Sequence, residues 1–278
     1  MTHVYRVATL NINRTTSATR LRMLEEFLHK QDFDIALFQE ITHPDLSTLR
    51  NYNAHINQGT EGRGTAILIK AELTVTNTKC LPSGRAIASI INGTCIINIH
   101  APPGAQKKAE RERFYTNDLP HLLPSTKSDM LLTGDFNCIL ETSDSTGQKH
   151  FNRALPSLVN GLDLHDVWDA ASTNNGYTHY ASKTALRLDR IYVTKHLRTR
   201  KTGVETIATA FTDHFELKIC THHQEPKKSQ RERFYNNDLP HLLPTTKSDM
   251  LLAGDFNCIL ETMTAPDKNT SLERSQAS

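Results

Sequence analysis

No stretch of this 278-residue chain approaches the roughly 18 consecutive apolar residues that a membrane-spanning helix needs. The opening residues, Met1-Thr2-His3-Val4-Tyr5-Arg6, lack the basic start and apolar stretch of a secretory signal. There is no CxxC pair, and the five cysteines (Cys80, Cys95, Cys138, Cys220, Cys258) are an odd number. That speaks against a disulfide framework and against a zinc knuckle. Each cysteine reads as a small buried apolar residue in a strand, and the chain is expected inside the cell, in a reducing compartment. An excess of charge is also missing. Lys and Arg number 32 against 30 Asp and Glu, and a net charge of +2 neither requires nor excludes a nucleic-acid partner. What remains, 37% hydrophobic and 22% charged, is ordinary for a globular protein.

Apolar runs rich in β-branched residues recur at Val4–Ile12, Asp34–Gln39, Thr65–Lys70, Leu73–Thr78, Ala86–Ile91, Thr94–His100, Asp129–Thr133, Leu188–Thr194, Val204–Thr209 and Glu216–Cys220, and predict strands. Several are nearly continuous, as expected where both faces of a sheet are covered. Helices fit between some of them. Ser17 can cap a segment to about Gln31, with Leu21, Leu24, Phe27 and Leu28 on one face. Further helices are expected over Lys107–Asn117 and over Asn152–Asn160, the latter stopped by Gly161. Strands alternating with a few helices, with hairpin-like pairs in the middle, predict an α/β fold of two packed sheets with helices outside.

Residues Lys107–Thr142 recur as Lys227–Thr262, with differences at Ala109/Ser229, Glu110/Gln230, Thr116/Asn236, Ser125/Thr245 and Thr133/Ala253. Solenoid repeats drift in sequence and come in threes or more. Two near-identical partial copies look like a segmental duplication. A polar junction, His222-His223-Gln224-Glu225-Pro226-Lys227-Lys228, precedes the second copy, and a polar tail follows it. The expected organisation is one domain over residues 1–223 and a loosely packed tail over 224–278, disordered at its end.

Acidic and amide residues stand at strand ends. Asn11 closes Ala8-Thr9-Leu10-Asn11, Glu40 follows Ile35-Ala36-Leu37-Phe38-Gln39, and Asp135 and Asn137 follow Met130-Leu131-Leu132-Thr133-Gly134. Asp189 lies in Leu186-Arg187-Leu188-Asp189-Arg190-Ile191, and Asp213-His214 precedes the last strand. In α/β folds loops converge at strand ends while the sheet stays rigid. Carboxylates and amides suit a hard cation such as Mg²⁺, with Mn²⁺ as an alternative. They suit zinc poorly, because His and Cys are not clustered at ligand spacings. Singly, each has a bland explanation: a solvated strand end for Glu40, a turn for Gly134-Asp135-Phe136-Asn137, a strand cap for Asp213-His214.

Their order is more specific. Leu10-Asn11-Ile12-Asn13, Gln39-Glu40, Gly134-Asp135-Phe136-Asn137, Leu188-Asp189-Arg190 and Asp213-His214, over Val4 to about Cys220, resemble the endonuclease/exonuclease/phosphatase superfamily. The forms Thr9-Leu10-Asn11-Ile12-Asn13, Phe38-Gln39-Glu40 and Ile97-Asn98-Ile99-His100-Ala101-Pro102 are most similar to the endonuclease domain of non-LTR retrotransposons. The resemblance implies a four-layer α/β/β/α sandwich, two mixed sheets flanked by helices. It also implies roles. Glu40 would ligate the metal, assisted by Asn11, with Asp213 completing the acidic cluster. Asp135 would position the attacking water, Asn137 would hold the scissile phosphate, and His214, oriented by Asp189, would contact it in the transition state. One departure is His100, where the family commonly has tyrosine. It substitutes at some loss, adds a pH dependence, or marks a decaying copy of a mobile element.

The superfamily acts on several phosphoesters, so fold does not settle substrate. Abasic-site endonucleases resemble this chain near Leu186–Asp189 but typically carry Trp where Leu186 stands. The resemblance favours a nuclease that nicks double-stranded DNA and leaves a 3′-hydroxyl to prime reverse transcription, acting in the nucleus. No reverse transcriptase follows in this chain. Lys183 and Arg187 are the expected phosphate contacts. A catalytically dead relic that binds nucleic acid, or an enzyme of RNA or phosphorylated metabolites, are the alternatives.

Overall fold

The computed structural model describes residues 3–14, 17–42, 49, 51–60, 63–126, 128–147, 151–168, 176–181 and 184–223. The second copy of the repeat, the tail, Cys258 and Lys183 lie outside them. In chain order the elements are β1 (His3–Asn11), α1 (Ala18–Gln31), β2 (Ile35–Ile41), β3 (Tyr52–Asn57), β4 (Gly64–Lys70), β5 (Val75–Cys80), β6 (Ala86–Ile91), β7 (Thr94–His100), α2 (Lys108–Arg113), β8 (Met130–Asp135), α3 (Ala154–Gly161), β9 (Leu164–Asp166), β10 (His179–Ala181), β11 (Thr184–Leu186), β12 (Asp189–Thr194), α4 (Lys195–Arg198), β13 (Lys201–Ile207) and β14 (Glu216–His223). A first compact unit spans Met1–Glu225.

Ten of the strands follow the apolar runs. They build two six-stranded sheets, ordered β13-β14-β1-β2-β4-β3 and β5-β6-β7-β8-β12-β9, with β10-β11 as a separate hairpin. Both sheets are mixed, because β1–β2 and β7–β8 are parallel and the other pairs antiparallel. Strand periodicity sends alternate side chains to opposite faces. Val7, Ile35, Leu37, Ile67 and Ile219 of the first sheet meet Ile87, Ile96, Leu131, Ile191 and Val193 of the second in one inter-sheet core. The alternate positions face helices. Ala8, Leu10, Ala36, Phe38 and Leu68 pack under Leu24 and Leu28 of α1, and Ala88, Ile97, Ile99 and Leu132 pack under Phe114, Tyr115, Leu155 and Val159. Each fully buried Leu, Ile or Phe contributes about 1.5–3 kcal/mol. The result is the α/β/β/α sandwich.

Two local features depart from the sequence-based expectation. The single helix expected over Lys107–Asn117 is broken into a 3₁₀ turn (Ala105–Lys107), α2, a π turn (Phe114–Asp118) and a second 3₁₀ turn (Leu119–Leu122). The extra residue in the π turn lets consecutive aromatics, Phe114 and Tyr115, both face the sheet. Tyr115 then donates from its hydroxyl to the Phe136 carbonyl at 2.6 Å, tying the segment to the Asp135–Asn137 loop. The cysteines also divide. Cys95 is buried in β7, Cys138 is buried in a loop rather than a strand, Cys220 is half-buried, and Cys80 is exposed at the end of the edge strand β5.

Candidate active site

The carboxyl ends of β1, β2, β7 and β8 and the amino end of β12 lie at one edge of the two sheets, and the loop before β14 reaches the same edge. Register places His100 opposite Asp135 and Asp135 opposite Asp189, one row across β7, β8 and β12. Three local devices aim these groups. At Glu40 the β2–β4 register shifts, and Glu40 takes φ 57. A bulge of this kind re-aims one side chain out of the alternation, so Gln39 stays in the inter-sheet layer while Glu40 turns to the edge. Gly134 has φ 130, and a Cβ there would stand 2.0 Å from the Ile99 carbonyl oxygen. No other residue fits so close to β7, which explains the glycine before Asp135. Asn137, at φ 49, is the third; its backbone N–H donates to Asp135 Oδ1 at 2.8 Å and its side-chain amide to the Ala101 carbonyl at 2.9 Å.

One step below the edge is a polar layer that the sequence did not single out. Gln39 Nε2 donates to Thr9 Oγ1 at 2.9 Å and, across the sandwich, to Asn98 Oδ1 at 2.7 Å. Asn98 Nδ2 donates to the carbonyls of Phe38 and Ala66 at 2.9 and 2.8 Å. All three side chains are buried. Buried hydrogen bonds of this sort fix register, and these tie the two sheets together directly under Asn11, Glu40 and His100, although Gln39 Oε1 has no partner. Its signal in the sequence was period two: Thr9/Asn11 and Asn98/His100.

The edge residues divide into two linked groups. Asn11 Nδ2 donates to Asp135 Oδ2 at 3.0 Å and stands 3.5 Å from Glu40 Oε1. Asn11 Oδ1 accepts from the Asn13 N–H at 2.9 Å, so Asn11 turns its NH₂ toward the carboxylates. Glu40 also lies 3.5 Å from His100 Nε2, 3.8 Å from Arg14 and 3.7 Å from Arg63. Burial raises the Glu40 carboxyl above its ordinary value, opposed by the Asn11 hydrogen bond, with the Asp135 charge adding to the rise. Burial likewise drives His100 down to about 4, so His100 is a neutral imidazole throughout the neutral range. Its Nε2 is buried without a hydrogen-bond partner, and the 3.5 Å approach to Glu40 is a contact, not an ion pair.

The second group is built on His214. Its Nδ1 lies 2.8 Å from Asp189 Oδ2, deep in the site. Burial opposes charge on the ring, but Asp189, by charge and hydrogen bond, and then Asp135 and Asp213 outweigh it and push His214 up to about 9. Thr178, fully buried, accepts the N–H groups of Leu188 and Asp189 at its Oγ1 and the Phe215 N–H at its carbonyl. It therefore fastens both partners of the dyad. Asp213 accepts from Asn13 Nδ2 at 3.0 Å and lies 3.4 Å from His179 Nε2. Burial raises its carboxyl, and His214, its own backbone and His179 more than reverse this, leaving it lowered. Asp135, Asp189 and His214 each offer a ligand atom within 4.8 Å of the others, as do His179, Asp213 and His214. No spacing along the chain marks His179, which a hairpin carries to His214.

One expected contact is corrected. Arg187 is not a surface cation. It is 6% exposed, and its Nη2 bonds both Asp166 oxygens at 2.7 Å. Its guanidinium also lies over Trp168 and 3.8 Å from Asp144. With Arg190 it forms a buried network of two arginines and two aspartates that closes β12 against the loop before it. Buried and neutralised by two carboxylates, Arg187 is not exposed to a phosphate. Among the described residues, Arg14 and Arg63 flank Glu40 and are 51% and 33% exposed, which makes them accessible cations at this edge.

Comparison with known proteins fits this geometry. The chain is 24% identical over 230 residues to the Transposon TX1 uncharacterized 149 kDa protein of Xenopus laevis, a match that covers 75% of this chain and 17% of that longer relative. Among solved structures, an AP endonuclease from Archaeoglobus fulgidus superposes with a TM-score of 0.65 at 22% identity, covering 77% of this chain and 98% of that one. The 3′ phosphatase NExo from Neisseria, bound to a product DNA hairpin, superposes with a TM-score of 0.63 at 17% identity over 77% and 98%. At these identities the likeness shows the fold. Residues 8–214 match the Endonuclease/Exonuclease/phosphatase family, a span that takes in every candidate from Asn11 to His214, and the chain belongs to that family of metal-dependent phosphoester hydrolases.

Proposed function

We propose that this chain is a divalent-metal-dependent endonuclease that nicks double-stranded DNA and leaves a 3′-hydroxyl for priming reverse transcription. The observation that carries the reading is His214, held by Asp189 at 2.8 Å beside Asp135, at the edge that also presents Glu40. A phosphodiester is anionic, and hydrolysis adds charge to its equatorial oxygens during in-line attack. Fixed positive groups beside a base answer that need.

The donor set fits a hard cation. Among the described residues, Glu40's side-chain contacts at 3.5–3.8 Å are all longer than a good hydrogen bond, so a part-buried carboxylate stands under-satisfied. Glu40 would hold Mg²⁺, or Mn²⁺, which supplies Lewis-acid charge at the phosphoryl group. Asn11 fixes Glu40 and Asp135 relative to each other. Asp135, held by Asn11 and by the Asn137 N–H, orients the attacking water and accepts its proton. Asn137 keeps a second amide N–H for the phosphate, and His214 donates to a non-bridging oxygen. Arg14 and Arg63 neutralise the DNA backbone in place of the buried Arg187. Leu186 rather than tryptophan beside the site, and the likeness to a transposon-encoded protein, favour ordinary duplex DNA over an abasic site. End chemistry tests this: a polymerase should extend the nicked strand without phosphatase treatment. Extension that appears only after a 3′-phosphate is removed would overturn it.

A further inference from the structure

We propose that His179, Asp213 and His214 form a zinc site, separate from the oxygen-ligand position at Glu40, whose occupation shuts the enzyme off. Zinc prefers imidazole nitrogens with a carboxylate, whereas Mg²⁺ prefers oxygens. This cluster is the nitrogen-rich corner of an otherwise oxygen-rich edge. Each of the three residues offers a ligand atom within 4.8 Å of the others.

The distances argue for a metal more than for a hydrogen bond. His179 Nε2 and Asp213 Oδ2 are 3.4 Å apart, beyond the usual 2.7–3.2 Å hydrogen-bond range. Two ligands about 2.0–2.1 Å from a tetrahedral zinc stand roughly 3.3–3.4 Å apart, an edge of the tetrahedron. The two imidazoles are already neighbours, with ring centroids 4.8 Å apart and planes tilted by 59°. His214 Nδ1 is committed to Asp189 Oδ2 at 2.8 Å, which leaves Nε2 as its coordinating nitrogen. A histidine bonded to a carboxylate on one nitrogen and to a metal on the other is the recurrent zinc arrangement. Asn13 Nδ2 holds the remaining Asp213 oxygen at 3.0 Å, so that carboxylate is oriented as well. Zinc would displace the proton on His214 Nε2 to solvent, and water would fill the fourth position.

The sequence conceals such a site, because His179 and Asp213 are 34 positions apart and no ligand spacing is visible. The β10–β11 hairpin brings them together through the His179–His214 bridge. Zinc there would occupy the His214 nitrogen that the proposed reaction needs, so low zinc should inhibit in the presence of excess Mg²⁺. Inhibition rests on the function proposed above, whereas binding does not.

The test therefore measures binding first. Titration of the full chain with ZnCl₂ by calorimetry, without Mg²⁺ or nucleic acid, should show a site that His179→Ala weakens at least tenfold. His55→Ala, on the distant strand β3, should leave it unchanged. X-ray absorption at the zinc edge should report two imidazole nitrogens with oxygen ligands near 2.0–2.1 Å. Circular dichroism and thermal melting of His179→Ala establish that the fold persists, and His179→Cys, a competent zinc ligand, should restore part of the affinity. Equal affinity of the wild type and His179→Ala, or a spectrum dominated by sulfur, would overturn the proposal. Zinc binding without inhibition would retain the site and count against the role given to His214.

Discussion

Replacing Asp189 by Asn separates the charge of the Asp189–His214 pair from its shape. The amide keeps a hydrogen-bonding oxygen near Nδ1 but removes the charge that most strongly opposes burial. His214 stands at about 9 against an ordinary 6.5, which corresponds to roughly 3 kcal/mol favouring the imidazolium. At pH 7.5 nearly all of the wild-type rings are charged. Without Asp189, burial dominates and the ring falls to 6.5 or below, so about a tenth or fewer are charged. Protonation alone then predicts a loss of about tenfold at pH 7.5, and misorientation of the ring adds to it. The profile also moves: wild-type activity should fall as pH rises through about 9, and the variant's at or below about 6.5. Stability follows the same sign. A raised histidine stabilises the fold fully below 6.5, and that contribution is lost as pH rises through about 9. Imidazole NMR of the metal-free chain reads the titration directly, and plasmid nicking across pH reads its consequence. A variant whose His214 still titrates near 9 would refute the electrostatic account of the dyad.

Glu216, fully buried at the start of β14 with neither carboxylate oxygen bonded, is raised to about 8, chiefly by burial. A carboxyl held that far above 4.5 costs up to roughly 5 kcal/mol of stability as pH climbs from 4.5 to 8. Urea unfolding should show Glu216→Gln gaining stability at pH 8 but not at pH 4.5, and equal gains at both would contradict this. His100→Tyr should keep activity within about tenfold near pH 8, because His100 is neutral there and acts as a buried contact for Glu40. A larger loss, beyond ~1.4 kcal/mol, would give the imidazole a role of its own. For the duplicated segment, Asp135→Ala should abolish nicking and Asp255→Ala should not. The first copy supplies β8 in mid-sheet, paired on both edges with β7 and β12, and replacing it would strand it as a long loop. Substantial loss with Asp255→Ala would mean that the second copy enters the site.

The parts of the fold that could be read from the chain are those whose burial is two-sided. Leu-Phe in β2, Ile-Ile-Asn-Ile in β7 and Met-Leu-Leu in β8 are continuous apolar runs that fit no exposed element. β3, Tyr-Asn-Ala-His-Ile-Asn, is an edge strand whose pattern is too weak to mark it in the sequence. The three-residue strands β9, β10 and β11 are too short to carry a period. The site was legible in its order, because each strand end displays its own carboxylate or amide. Pairing was not. Arg187 reads as a free phosphate contact until Asp166, 21 residues away, closes on it. His179 carried no signal for the same reason: its neighbours Asp213 and His214 reach it through tertiary structure, not spacing.

Under the proposed function, this edge cuts DNA through a metal held at Glu40. Supercoiled plasmid incubated with the full chain and Mg²⁺, with and without excess EDTA, and beside a folded Glu40→Ala variant, tests it most directly. Relaxed, singly nicked plasmid should appear with the wild type and Mg²⁺, and with neither EDTA nor Glu40→Ala. Robust nicking in EDTA, or undiminished nicking by Glu40→Ala, would contradict the account.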